Sequence, residues 1–226
     1  MGIKQMKIAI MISGRGSNLQ SLIRQAHRSN VEIVVVAANT PCGGLEIASQ
    51  HKIRTELVDR ADYDTRTKHE NVLAGLIETA APDWIFLAGY MAVLSAEFIS
   101  RFDGRIVNIH PSLLPDFKGL NTHQRAIDAD VERHGATIHL VTPKLDDGAV
   151  IAQASLPRQT EDAGMLAAQV LQIEHLLFPA VLDGLATGRL SLDAEAMQDQ
   201  QVNWHDTASL AGVAEAGFQI TYPSIA

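Results

Sequence analysis

Ile8-Ala9-Ile10-Met11-Ile12 is an unbroken apolar run, and Ile33 to Ala38 is another. A strand with one wet face alternates apolar and polar residues. A strand without alternation needs cover on both faces, the condition of a parallel strand inside an α/β sheet. The full strand candidates are Lys7–Ile12, Glu32–Ala38, Arg54–Val58, Trp84–Ala88 and Ile106–Ile109. Helical patterns fall between them at Ser17–Arg28, Gly44–His51 and Asp64–Ala80, the last with Val72, Leu73, Leu76 and Ile77 on one stripe. This alternation predicts an α/β fold: one open, twisted, mostly parallel sheet with right-handed crossovers.

After His110 the texture changes. "PSLLPDFKGLNTH" reads as a loop, followed by a short helix, Thr122–Ala129. Two strands, Ala136–Thr142 and Ala149–Pro157, are joined by "PKLDDG", a turn that permits antiparallel pairing. A long helix, Glu161–Leu182, closes the core, and the residues beyond Gly188 are polar. The 226 residues suit one large domain in preference to two small ones, and 46% apolar content is ample for a packed core. A net charge of −8 argues against non-specific nucleic-acid binding, so the expected partners are small molecules. One cysteine, Cys42, fits a reducing compartment. No apolar run near 18 residues and no signal-peptide pattern is evident, so a soluble cytoplasmic protein is expected.

The first turn, "SGRGSN", follows a strand and opens a helix. Gly14 and Gly16 permit a tight turn and close approach of backbone N–H groups. Ser17 and Asn18 lie at the helix N-terminus, where free N–H groups and the dipole favour an anion. Leu19 stands where a dinucleotide fingerprint has its third glycine, and the second strand ends in Ala37-Ala38-Asn39, without the acidic residue such a site wants. A phosphate site is the functional reading; a merely structural glycine turn is the alternative.

Asn108 and His110 stand two apart at the carboxyl end of a strand, so their side chains share a face at the edge where open α/β sheets bind ligands. An amide that donates to an oxyanion beside an imidazole that moves a proton suits acyl chemistry. The "LDDG" turn brings a carboxylate, Asp146 or Asp147, which spacing alone does not decide between. Each residue also has an ordinary structural reading as a strand end, a surface histidine or a turn former. Neither metal-ligand spacing nor a G-x-S-x-G elbow is present, so no metal is expected.

"ISGRGSNLQSLI", "LAGYMAVLS", "VNIHPSLLPDFKGLNTHQRAI", "GATIHLVTPKLDDGAVIAQ" and "QIEHLLFP" together resemble the phosphoribosylglycinamide formyltransferase family. The resemblance implies a Rossmann-like formyltransferase domain over 1–190, with 191–226 as a peripheral C-terminal extension. It implies transfer of a formyl group from the co-substrate 10-formyltetrahydrofolate to the amine of 5'-phosphoribosylglycinamide in purine synthesis, without a covalent enzyme adduct. Asn108, His110 and Asp146 are then the catalytic residues. Gly14, Arg15, Gly16, Ser17 and Asn18 hold the substrate phosphate. Pro111, Gly119 and Glu174 complete the substrate site. Arg66, Met91, Ala92, Val93 and Leu94, with Asn108, Val141, Thr142 and Asp146, bind the folate, and Ile106 lines its slot. A monomer or homodimer is implied.

Two positions depart from the family pattern: Ala92 where arginine is usual, and Asn121 where histidine is common. Neither touches the implied reaction centre. Formyltetrahydrofolate hydrolases share the Asn-His-Asp logic but usually carry an N-terminal regulatory domain, for which a first strand at Lys7 leaves no room. Methionyl-tRNA formyltransferases need a basic RNA-binding domain, unlike this acidic chain. A non-enzymatic ligand sensor would have no use for the Asn108, His110 and Asp146 set.

Overall fold

The computed structural model describes residues 5–102, 104–192 and 202–222. The chain packs as two units, Met1–Asn108 and Ile109–Ala226, which divide inside the fifth strand.

The first unit is the parallel α/β half. Its strands are β1 (Met6–Ile12), β2 (Val31–Ala38), β3 (Thr55–Leu57), β4 (Trp84–Leu87) and β5 (Ile106–His110), in the order β3-β2-β1-β4-β5. Neighbouring strands here pair in parallel. Ile8 to Ile12 are fully buried in central β1, as an unbroken apolar run requires. The helices are α1 (Ser17–Ala26), α2 (Gly43–Gln50), α3 (Arg66–Ala80) and α4 (Ala96–Arg101). Helix α3 starts two residues later than its pattern predicts because the Thr65 hydroxyl accepts from Lys68 N–H and caps it there. No helix is predicted over α4. It is too short to show a period, and is set by the Ser95 cap on Phe98 N–H and by burial of Phe98 and Ile99.

The second unit contains α5 (Thr122–Asp128), β6 (Arg133–Leu140), β7 (Val150–Pro157) and α6 (Ala163–Thr187). Strands β6 and β7 are antiparallel, with a register shift between Ile138 and His139. Strand β6 ends at Leu140, not at Thr142, because Leu140 N–H already bonds Ala149 O at 2.9 Å and closes the hairpin. This leaves Val141 and Thr142 in the connecting loop. Helix α6 is capped by Asp162, runs past the expected end at Leu182 and stops at Gly188, whose φ of 71° is the left-handed C-terminal conformation. By length and composition α6 could cross a membrane, although no apolar run near 18 residues is predicted. Here it packs on β6 and β7 and buries Leu166, Val170, Ile173, Leu177, Phe178 and Val181, as a core helix does.

Beyond residue 190 the described chain forms β8 (Leu190–Ser191), β9 (Asn203–Trp204), α7 (Ala211–Glu215) and β10 (Gln219–Tyr222). β10 pairs antiparallel with β7. Trp204 Nε1 donates to Ile151 O at 2.8 Å, and its ring lies over Gly184, where a Cβ would stand 2.9 Å from the indole. Leu210 and Val213 are buried.

Gly148 decides the β6–β7 hairpin. A Cβ there would sit 1.9 Å from Leu140 O, a backbone atom that cannot swing away. Gly148→Ala is therefore expected to lower unfolding free energy by roughly 1–3 kcal/mol or more. Urea denaturation of the variant against the wild type measures this.

Candidate active site

The first unit contains a turn and a loop. β1 ends at Ile12, and Gly16 caps α1 with φ 86° and ψ 22°, a left-handed conformation suited to glycine. The close approach is mutual: a Cβ on Gly16 would lie 2.7 Å from the Gly44 Cα, and Gly44 N–H donates to Gly14 O at 3.1 Å. Thus the Gly-Gly start of α2 braces the turn, a role for Gly44 that sequence reasoning missed. Gln20 N–H makes a helical bond back to Gly16 O. No acidic residue occupies the first turn, and no side chain caps it. The turn therefore presents a positive helix end, with Gly16 buried and Arg15 exposed.

After β4, Met91 and Val93 are exposed at 74% and 56%, whereas Leu94 is buried. Ala92 is exposed between them. Arg66, at the start of α3, is exposed and pairs with Glu70 at 2.8 Å. Glu70 also accepts from Ser95 N–H at 3.2 Å. Its buried carboxylate thereby joins Arg66 to the end of this loop. Asn108 is half-buried in β5, in register with Leu87 of β4.

The second unit holds the titratable groups. His110 Nε2 lies 3.0 Å from Phe117 O. A carbonyl only accepts, so Nε2 carries a hydrogen. The other ring nitrogen, Nδ1, is 3.4 Å from Asp146 Oδ2. The same oxygen accepts from Gly119 N–H at 2.8 Å. Asp147 faces elsewhere, toward Lys118 and Lys144. The structure thus brings Asp146, not Asp147, beside His110. Asp146 has φ 49°, a left-handed conformation that Asp tolerates better than most residues.

His139 is not among the site residues expected from the sequence, where it stands as one of several scattered histidines without metal-ligand spacing. It lies at the register shift of β6, a feature that re-aims side chains and that no motif announces. Its Nδ1 donates to Leu140 O at 2.8 Å, and its Nε2 faces Asp146 Oδ1 at 3.7 Å. Burial holds the His139 pKa below its ordinary value, although Leu140 O and Asp146 act the other way. The ring is therefore neutral near pH 7, and the contact with Asp146 is not an ion pair.

The loop after β5 is pinned from below. Thr137 Oγ1 donates to Ser112 O at 2.7 Å and accepts from Leu114 N–H at 3.0 Å. Gln153 Nε2 donates to Leu114 O at 3.0 Å. Pro111 begins this loop, and Gly119 lies near its end with φ 80°. Thr142 donates to Lys144 O within the hairpin loop that begins at Val141, while Glu174 is buried in α6. Among the described residues, no group of three or more His, Cys, Asp or Glu is arranged to hold a metal ion.

Arg125 lies 5.6 Å over the Phe117 ring, and Phe117 meets His134 edge-on at 6.1 Å. His134 and His123 approach at 3.1 Å. Burial is the main cause lowering both pKa values, that of His134 to about 4. A histidine with a depressed folded pKa stabilises the fold fully above its unfolded value and loses that contribution as pH falls toward the folded value. The thermal midpoint is therefore expected to drop between about pH 6.5 and 4. Calorimetry across that range checks it, and His134→Gln is expected to flatten the drop.

The formyl transferase family matches residues 6–182. Phosphoribosylglycinamide formyltransferase from Escherichia coli is 39% identical over 195 residues, covering 84% of this chain and 92% of that protein. The solved phosphoribosylglycinamide formyltransferase of Coxiella burnetii superposes with a TM-score of 0.82 at 38% identity, covering 89% of this chain and 94% of that one. The corresponding structure from Brucella melitensis gives 0.77 at 43% identity, covering 84% and 100%.

Proposed function

Since the chain belongs to the formyl transferase family, we propose that it moves the formyl group of 10-formyltetrahydrofolate onto the glycinamide amine of 5'-phosphoribosylglycinamide, a step of purine biosynthesis. The observation that carries the mechanism is the setting of Asp146: Gly119 N–H donates to one oxygen, and imidazole nitrogens of His110 and His139 lie 3.4 and 3.7 Å from the carboxylate.

In this reading Gly14 to Asn18 receive the phosphate, with Arg15 beside it. Pro111, Gly119 and Glu174 frame the glycinamide end. Arg66 and Met91 to Leu94, with Val141, Thr142 and Asp146, hold the folate. The amine lone pair attacks the formyl carbon, and the carbonyl electrons move onto oxygen. Asn108 donates an N–H to that oxyanion and His110 stabilises it. Asp146 accepts the ammonium proton through water and returns it to N10 as the C–N10 bond breaks. The products are formylglycinamide ribonucleotide and tetrahydrofolate. No covalent enzyme adduct forms. The co-substrates are small molecules and no metal takes part. The transferase domain spans 1–190 with 191–226 as its extension. It works in the cytoplasm as a monomer or homodimer, without nucleic acid or membrane.

Deformylation of 10-formyltetrahydrofolate, followed with and without the ribonucleotide, tests this. Release that requires the ribonucleotide is expected. Equal release without it makes the protein a hydrolase, and no release in either case makes it a sensor. His110→Ala and Asp146→Ala are each expected to lower turnover by ~10²–10⁴-fold. Asp147→Asn, which loses only surface lysine contacts, should leave turnover near wild type.

A further inference from the structure

We propose that Ser13 is a positioning residue that joins the phosphate turn to the apolar loop Met91–Leu94, so that the two substrates bind co-operatively. The inference rests on the function proposed above. Ser13 lies between the end of β1 and Gly14, the first residue of the turn. Its hydroxyl has two partners. Met91 N–H approaches Oγ at 2.8 Å, and Asn39 Oδ1 lies 2.6 Å from Oγ. An amide N–H can only donate, so Oγ accepts from Met91 and passes its single proton to Asn39. A separation of 2.6 Å fits O–H···O and is short for N–H···O, which orients the Asn39 amide the same way.

The backbone repeats the link: Ser13 N–H donates to Gly89 O at 3.1 Å. One residue thus holds the chain leaving β4 at two points, Gly89 and Met91. On its other side, Gly14 O is held by Gly44 N–H. The turn, the end of β2 and the loop consequently share one hydrogen-bonded junction. The loop that it anchors exposes Met91 and Val93, apolar side chains that a bound folate ring would cover. A phosphate that stiffens the turn fixes Ser13, and with it the Met91 amide, before the folate arrives. The ordering cost is then shared, and binding of either ligand favours the other. This also gives Asn39 a use at the position where a dinucleotide site would carry an acid.

The test is calorimetric titration of tetrahydrofolate into the whole protein, with and without saturating 5'-phosphoribosylglycinamide. For the wild type, the ribonucleotide is expected to tighten tetrahydrofolate by about fivefold or more. In Ser13→Ala, which loses the hydroxyl but keeps the backbone bond to Gly89 O, this ratio is expected to fall to less than half its wild-type value, with the affinity for the ribonucleotide alone close to wild type. Asn39→Ala keeps the Met91–Ser13 bond but frees the hydroxyl to turn, and an intermediate ratio is expected. A wild-type ratio of one, or an undiminished ratio in Ser13→Ala, overturns the proposal. If Ser13→Ala does not fold, Asn39→Ala decides: an undiminished ratio there overturns it. Failure of the wild type to bind either ligand refutes the proposed function itself, whereas binding of both without coupling refutes only the role of Ser13.

Discussion

Burial of β1 on both faces is the constraint from which the first unit follows. Five successive side chains, Ile8 to Ile12, have no exposure at all. At about 25 cal/mol per Å² of apolar surface, exposing one face of that strand would cost several kcal/mol, a large share of a typical domain's net stability. Strands must therefore flank it and helices must cover it. The chain can leave the sheet only at the carboxyl end, where Ser13 and the glycine turn begin. The place of the glycine turn is in this sense a by-product of core burial: the turn begins where the apolar layer stops.

The second unit solves a different problem, that of holding a carboxylate between two imidazoles in a mostly buried place. A charge there is costly unless its lone pairs are used. Gly119 N–H uses one, and His110 Nδ1 stands beside the same oxygen. The hairpin geometry makes this possible. Gly148 lets the chain pass against Leu140 O, and the left-handed Asp146 turns its carboxylate inward while Asp147 turns to the lysines. The Leu-Asp-x-Gly pattern is thus a steric specification as well as a chemical one.

Those particulars explain what could be read beforehand. The parallel half was legible because unbroken apolar runs and 3.6-residue stripes are properties of local sequence. The pairing of β6 with β7 was legible from the turn between them. Helix α4 was not, since six residues hold too few apolar repeats and its cap is a single serine. The choice between Asp146 and Asp147 was hidden because neighbours in a turn point apart according to φ, which spacing does not encode. His139 was hidden because a register shift sets its direction. Ser13, Asn39 and Gly44 were hidden because their significance is a contact across distant parts of the chain.

The neutral state of His139 matters to the proposed chemistry. Both histidines near Asp146 have one nitrogen committed to a backbone carbonyl: Nε2 of His110 to Phe117, and Nδ1 of His139 to Leu140. Each therefore turns its remaining nitrogen toward the carboxylate. Were both rings cationic, two positive charges would share one buried anion, and like-charge repulsion would oppose it. Burial keeps His139 neutral. His110 Nδ1 then faces the oxygen of Asp146 that Gly119 N–H also holds, while His139 Nε2 faces the other. The division of labour between the two imidazoles follows from where each backbone carbonyl sits, and so from the loop and hairpin that place Phe117 and Leu140.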